Sequence, residues 1–230
     1  MRPALERANV GMTRALAFWR TTVGKKIVMA VTGVIMIAFL VAHVAGNLLV
    51  FRGAAPLDAY SAFLKRELAA LWVVRAILFA SVVLHVVAAA QLAALDRAAR
   101  RQRYARVKPQ AATVASRTMR IGGVVIAAFI VFHLLHLTTG TIRPAHFEEA
   151  HVYANVVGGF RVWWVSAIYL VSMIAIGLHL YHGGWSWLRT LGLSRPSAAP
   201  LRRPVAAAVA IAIWAGFTSI PLAIFFGLVR

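Results

Sequence analysis

The sequence predicts an all-α fold, an integral membrane bundle of five transmembrane helices with its N-terminus in the cytoplasm and its C-terminus outside. Three observations predict it. Hydrophobic residues make up 61% of the 230 and charged residues only 13%, far from the usual soluble balance of about 45–50% apolar and about 25% charged. Five apolar runs, over residues 27–51, 68–95, 121–142, 162–188 and 205–229, are each long enough as a helix to cross a hydrocarbon core of about 30 Å. The connections alternate in charge: the N-terminus and the links after the second and fourth runs hold 18 Lys and Arg, and the other side holds 7. By the positive-inside rule the richer side is cytoplasmic.

Residues 1–26 are a basic cytoplasmic segment with six Lys or Arg and no cleavage signature, so they read as retained. Trp19 suits the interface, and Lys25 and Lys26 stop the first span at the headgroups. Span I follows. The link from Arg52 to Glu67 reads either as a short surface helix, with Pro56 at its start and Asp58 near its N-terminus, or as a plain connector. Span II carries Arg75 near its outer end. The next link, from Asp96 to Arg120, holds eight Lys or Arg against one Asp. Span III precedes an almost neutral link containing His146, Glu148, Glu149, His151 and Tyr153. Spans IV and V complete the chain, and Pro221 is expected to kink span V.

A net charge of +19 invites a nucleic-acid reading, but the basic residues lie in connections between apolar runs. No aromatic-lined basic surface forms, which argues against a nucleic-acid partner. The absence of cysteine excludes disulfides, thiolate-held iron–sulfur clusters and covalent c-type haem. No Gly-rich nucleotide motif is present, so the chain has no visible means of binding a flavin or nucleotide itself.

Spans I to IV each carry a histidine at depth: His43, His85, His133 and His179. One such residue is more often a hydrogen-bonded core histidine than a ligand. Four in consecutive spans are harder to explain that way, because an ionisable group in hydrocarbon is costly and usually faces the bundle interior for a reason. With alternating span direction, His43 and His133 both fall in the outer half. His85 and His179 both fall about 15 Å from the inner ends at 1.5 Å per residue. The four therefore sort into an outer pair, His43 with His133, and an inner pair, His85 with His179. Two imidazoles at one depth on facing helices suit a flat macrocycle gripped from both sides, so the expectation is two bis-histidine haem b groups, with residues 27–230 forming the haem-binding domain. Gly33 and Gly123 precede His43 and His133 by ten residues, either as small residues at the level of the inner pair or as ordinary close-packing positions. His136 and His182 follow His133 and His179 by three residues on nearly the same helix face. They are alternate ligands or, more in keeping with their depth, hydrogen-bond partners of a propionate or a neighbouring helix.

The segments Trp19–Arg20–Thr21–Thr22, Gly24–Lys25–Lys26, TGVIMIAFLVAHVAGN, DAYSAFL, FHLLH, VYANVVGGF and HLYHGGWSWL together resemble the dihaem cytochrome b membrane-anchor subunit of succinate dehydrogenase and fumarate reductase, in its single-chain, five-helix form. The resemblance covers nearly the whole chain, and its most specific element is five spans with histidines in the first four. It implies an anchor, in the bacterial cytoplasmic membrane, for a flavoprotein subunit and an iron–sulfur subunit. Electrons would pass between their clusters and a membrane quinone, menaquinone being favoured over ubiquinone, with no succinate chemistry on this chain. The family's haem ligands, paired first span with third and second with fourth, fall on His43, His133, His85 and His179. Outer-side groups able to serve a quinone are Tyr60, Lys65, Glu67, His146, His151 and Tyr153. Glu67 is the first choice, as the only carboxylate at the mouth of span II, although a solvated charge beside Lys65 and Arg66 reads equally well. The alternatives are a dihaem anchor of a different quinone-linked oxidoreductase, and a haem-free transporter or structural anchor. Spans nearly devoid of carboxylates disfavour the transporter.

Overall fold

A computed structural model describes residues 13–14, 16–99, 113–193, 197 and 199–230. Among them every regular element is helical. Five helices are long and apolar enough to cross a membrane: α1 (Thr22–Asn47), α3 (Leu68–Ala98), α4 (Val114–His133), α6 (Trp163–Thr190) and α7 (Ala199–Phe225). Two shorter helices, α2 (Ala54–Arg66) and α5 (Val152–Arg161), lie in the links between the first and second and between the third and fourth of these. The chain is a multi-pass membrane protein.

The span boundaries differ from those the apolar runs set, for identifiable reasons. Helix α1 starts five residues before position 27 because the Thr21 side chain accepts from the Gly24 backbone N–H at 2.9 Å, an N-cap. Lys25 and Lys26 thus lie inside the helix. Lys25 does not reach outward to headgroups: it is 7% exposed, and its Nζ donates to the Trp19 and Arg20 carbonyls at 2.8 and 3.1 Å. It satisfies the carbonyl end of the preceding helical turn, as cations do at such termini. The third span begins at Val114 rather than 121, again behind a threonine cap, Thr113. It does not reach 142. A π-helical turn (Leu134–Thr138) is closed by Thr139 N–H to the Leu134 carbonyl at 2.9 Å, and Gly140, at φ +61°, takes the left-handed conformation that stops the helix.

The link 52–67 contains helix α2, with Pro56 in its first turn. In the link 143–161, the sequence had not announced helix α5, which packs against α2, α6 and α7. Asp58 of α2 accepts from the Tyr153 backbone N–H at 2.9 Å, and Tyr153 donates its hydroxyl to the Arg230 carbonyl at 2.8 Å. These bonds gather α2, α5 and the C-terminus into one cap. Helix α7 is continuous through Pro221, whose side chain is fully buried.

Close backbone packing joins α6 to α4 and α7, and α1 to α3, α6 and α7. The core runs along the buried face of α6, through Val165, Tyr169, Met173, Ile176 and Leu180, against α7 residues such as Ile213, Ile220 and Ile224. At the other end of the bundle Arg120 of α4 donates to Asp96 of α3 at 2.9 Å. That exposed pair is worth at most about 1 kcal/mol.

Candidate functional site

The four deep histidines meet in two pairs. His43 of α1 and His133 of α4 have ring centroids 5.9 Å apart; His85 of α3 and His179 of α6 have theirs 6.2 Å apart. Neither α1 with α4 nor α3 with α6 belongs to the closely packed helix pairs. Membrane helices associate by van der Waals contact through small residues. Here the backbones stand apart and imidazoles reach across the gap. Two metal–imidazole bonds of about 2 Å each put the ring centroids of a bis-histidine centre roughly 6 Å apart, and both pairs have that separation. Among the described residues no group of three or more His, Cys, Asp or Glu is placed to hold a metal ion; the deep histidines come together as pairs.

Each histidine's second contact bears on whether it can ligate. A histidine bound through Nε2 carries its proton on Nδ1 and donates it to a neighbour, which fixes the tautomer and raises ligand basicity. His85 Nδ1 lies 3.1 Å from Thr32 Oγ1, and that hydroxyl donates its own proton to the Val28 carbonyl at 2.8 Å. The free lone pair on Oγ1 therefore accepts from Nδ1–H, and Nε2 is left bare. His133 Nδ1 lies 3.2 Å from the Tyr169 hydroxyl. His179 Nδ1 is buried without a hydrogen-bond partner, an orphaned polar atom facing a place where the protein itself supplies no acceptor. His43 is the exception. Asn47 Nδ2 sits 3.2 Å from its Nδ1 while donating to the His43 carbonyl at 2.7 Å. That arrangement favours a proton on Nε2, so ligation through Nε2 requires the Asn47 amide to turn away.

The surroundings differ between pairs. The outer pair sits in an aromatic cage: Phe39 stacks on His43 at 5.0 Å, Phe217 lies 5.5 Å from it, and Phe129 lies 5.8 Å from His133. At the inner pair Gly33 lies against His85, where an added Cβ would come within 3.5 Å of the ring. Gly33 therefore lies at the level of the inner histidines. Gly123 faces open space within 4 Å, so close helix packing does not explain it.

His136 and His182 stand outside both ring pairs. The His136 ring meets Phe132, Phe160 and Tyr169, and its Nδ1 is 3.0 Å from the Tyr169 hydroxyl. His182 meets Trp185 at 5.3 Å, and its Nδ1 is buried without a partner. Arg189 and Arg203 flank the same indole, with guanidinium carbons 5.9 and 5.2 Å from its centre.

Of the quinone-site candidates, Glu67 is exposed at the junction of α2 and α3; its backbone carbonyl accepts from Leu71 N–H at 2.9 Å, and its side chain makes no hydrogen bond or ion pair among the described contacts. Tyr60 is turned inward against Gly46 of α1, where an added Cβ would fall 2.5 Å from its ring. Lys65 Nζ donates to the Glu149 carbonyl at 2.8 Å. His146 Nε2 and His151 Nδ1 approach opposite oxygens of the Glu148 carboxylate at 2.8 and 2.7 Å. The His146 hydrogen bond, aided by the charge of His151, holds the Glu148 carboxyl below the usual carboxylate range.

Thr32, Asn47 and Tyr169 were not singled out in the sequence. Tyr169 did carry a signal: it lies six residues into its helix, below the interfacial belt where membrane tyrosines concentrate, and a buried phenol seeks a partner. No protein-family model matches this chain, and neither does any curated protein or solved structure.

Proposed function

We propose that this chain is a dihaem membrane cytochrome, with one haem b between His43 and His133 and a second between His85 and His179. The observation that carries the reading is the pair of imidazole contacts made across helices that do not otherwise pack together, each at the separation of a bis-histidine centre. When bound, the groups would supply one-electron transfer, with His43 and His133 holding one and His85 and His179 the other. The chain's own residues do the rest: Thr32 and Tyr169 orient ligands, Phe39, Phe129 and Phe217 exclude water from the outer pair, and the apolar faces of α3 and α4 meet lipid.

Within that class, the resemblance of the histidine-bearing segments to the succinate dehydrogenase and fumarate reductase anchors favours one role. The protein is the quinone-reactive membrane subunit of such a complex, holding a flavoprotein and an iron–sulfur subunit on the cytoplasmic side of a bacterial inner membrane. The basic ends of α3, α4, α6 and α7 form the docking side. The C-terminus is external, and the exchange with quinone takes place at the outer mouth of the bundle, where Glu67 is exposed at the start of α3.

The test is a redox titration of the purified complex carrying single histidine replacements. His85→Leu and His179→Leu should each abolish one and the same redox step, and His43→Leu and His133→Leu the other. Loss of the same step by His43 and His85 variants would overturn the pairing. Absence of flavin and iron–sulfur clusters from the natively purified complex would overturn the narrower assignment.

A further inference from the structure

The Tyr169 hydroxyl lies between two histidines of one helix face, 3.2 Å from His133 Nδ1 and 3.0 Å from His136 Nδ1. A phenol has one proton to donate. The three groups therefore form a directional relay, and its direction decides which histidine is left with a bare Nε2.

The surroundings fix that direction. His136 is 3% exposed, and its Nε2 is pressed on α5, so close that a Cβ on Gly159 would stand 2.7 Å from it. That nitrogen lies against α5, and among the described contacts the His136 ring makes no ring contact with His43. His133 is the member whose ring faces His43. Phe129 and Phe160 meet the Tyr169 ring edge-on at 4.9 and 4.7 Å, with interplanar angles of 90° and 89°. Tyr169 itself is 5% exposed, so the phenol has little freedom to swing away.

We infer that Tyr169 is a positioning residue for the outer centre: it accepts from His133 Nδ1–H and donates to His136 Nδ1. His133 is thereby held with Nε2 free, where it would ligate a haem iron, and His136 is the acceptor that aims the hydroxyl. The inference rests on the dihaem reading and deepens it, assigning the ligand within the FHLLH run. It also gives the π-helical turn a use, since that turn carries His136 to the hydroxyl His133 already reaches.

The test uses the purified complex with Tyr169→Phe, His136→Asn, His136→Leu and His133→Asn, scored by haem content, by haem loss to an excess of apo-haem-protein, and by redox titration. Tyr169→Phe removes the acceptor of Nδ1–H and lowers ligand basicity. The outer step should then move to higher potential, and outer haem loss should rise about 10–100-fold, with the inner step unmoved. His136→Asn keeps an acceptor near the Nδ1 position and should behave as wild type. His136→Leu should reproduce the Tyr169→Phe shift while keeping two haems, and His133→Asn should lose the outer one. An unshifted outer step in Tyr169→Phe overturns the inference, as does loss of the outer haem from His136→Asn with retention in His133→Asn. Both outcomes leave two haems in the wild type and the dihaem reading intact; a wild-type complex without haem would overturn that reading instead.

Discussion

Thr32→Val probes the inner pair most cleanly, because valine keeps the shape of threonine and removes only the hydroxyl that orients His85. Thr32 is 5% exposed and its Oγ1 is 3.1 Å from His85 Nδ1. Without it a buried N–H loses its acceptor, at a cost of about 1–3 kcal/mol. Losing an outer partner of a metal ligand costs roughly 10–100-fold in affinity, or about 1.4–2.7 kcal/mol, so the two estimates overlap. The Met29 carbonyl also lies against the His85 ring and recovers part of the bond. That sets the expectation near tenfold, about 1.4 kcal/mol. The assay is titration of haem into the haem-depleted complex, followed by separation of the two redox steps. The inner step should be weakened and the outer unchanged, with Thr32→Ser restoring wild-type binding. Unchanged inner affinity, or a shift confined to the outer step, would refute the tautomer reasoning at His85.

Two further outcomes follow from the cap and the topology. Because the Glu148 carboxyl titrates lower in the folded chain than its ordinary value of 4.5, the tie to His146 and His151 is fully present above that value and drains away as pH falls through the lower folded one. Amide exchange of residues 146–151, corrected for intrinsic rates, should accelerate on acidification below 4.5 in wild type. In Glu148→Gln it should already be fast at neutral pH; equal protection in both would remove the carboxylate from the account. Since the chain has no cysteine, Glu149→Cys and Arg97→Cys give a clean topology test with a membrane-impermeant thiol reagent. Position 149 should react in intact cells and position 97 only after lysis, and the reverse pattern would invert the orientation.

The spans were legible because hydrocarbon length and charge-free runs are properties of composition, which sequence carries directly. Their ends were less so. Thr21 and Thr113 each extend a helix through polar residues by a single side-chain bond, and Gly140 stops one inside an apolar run. The pairing of His43 with His133 and His85 with His179 was readable from depth alone, since rise per residue and alternating direction fix height in the bilayer. Rotation about each helix axis is not fixed that way. Thr32, Asn47 and Tyr169 matter through bonds whose geometry depends on rotation and rotamer, and helix α5 was hidden because its glycine-containing run, VYANVVGGF, lacks the length of a span. The Gly159 of that run nonetheless sets where His136 lies.

The most direct measurement is the haem content of the purified complex, by reduced-minus-oxidised spectrum and quantitative haem extraction against chain concentration. A b-type spectrum with two haems per chain, one for each histidine pair, is the expected result, and a ratio of one or zero would contradict the dihaem assignment.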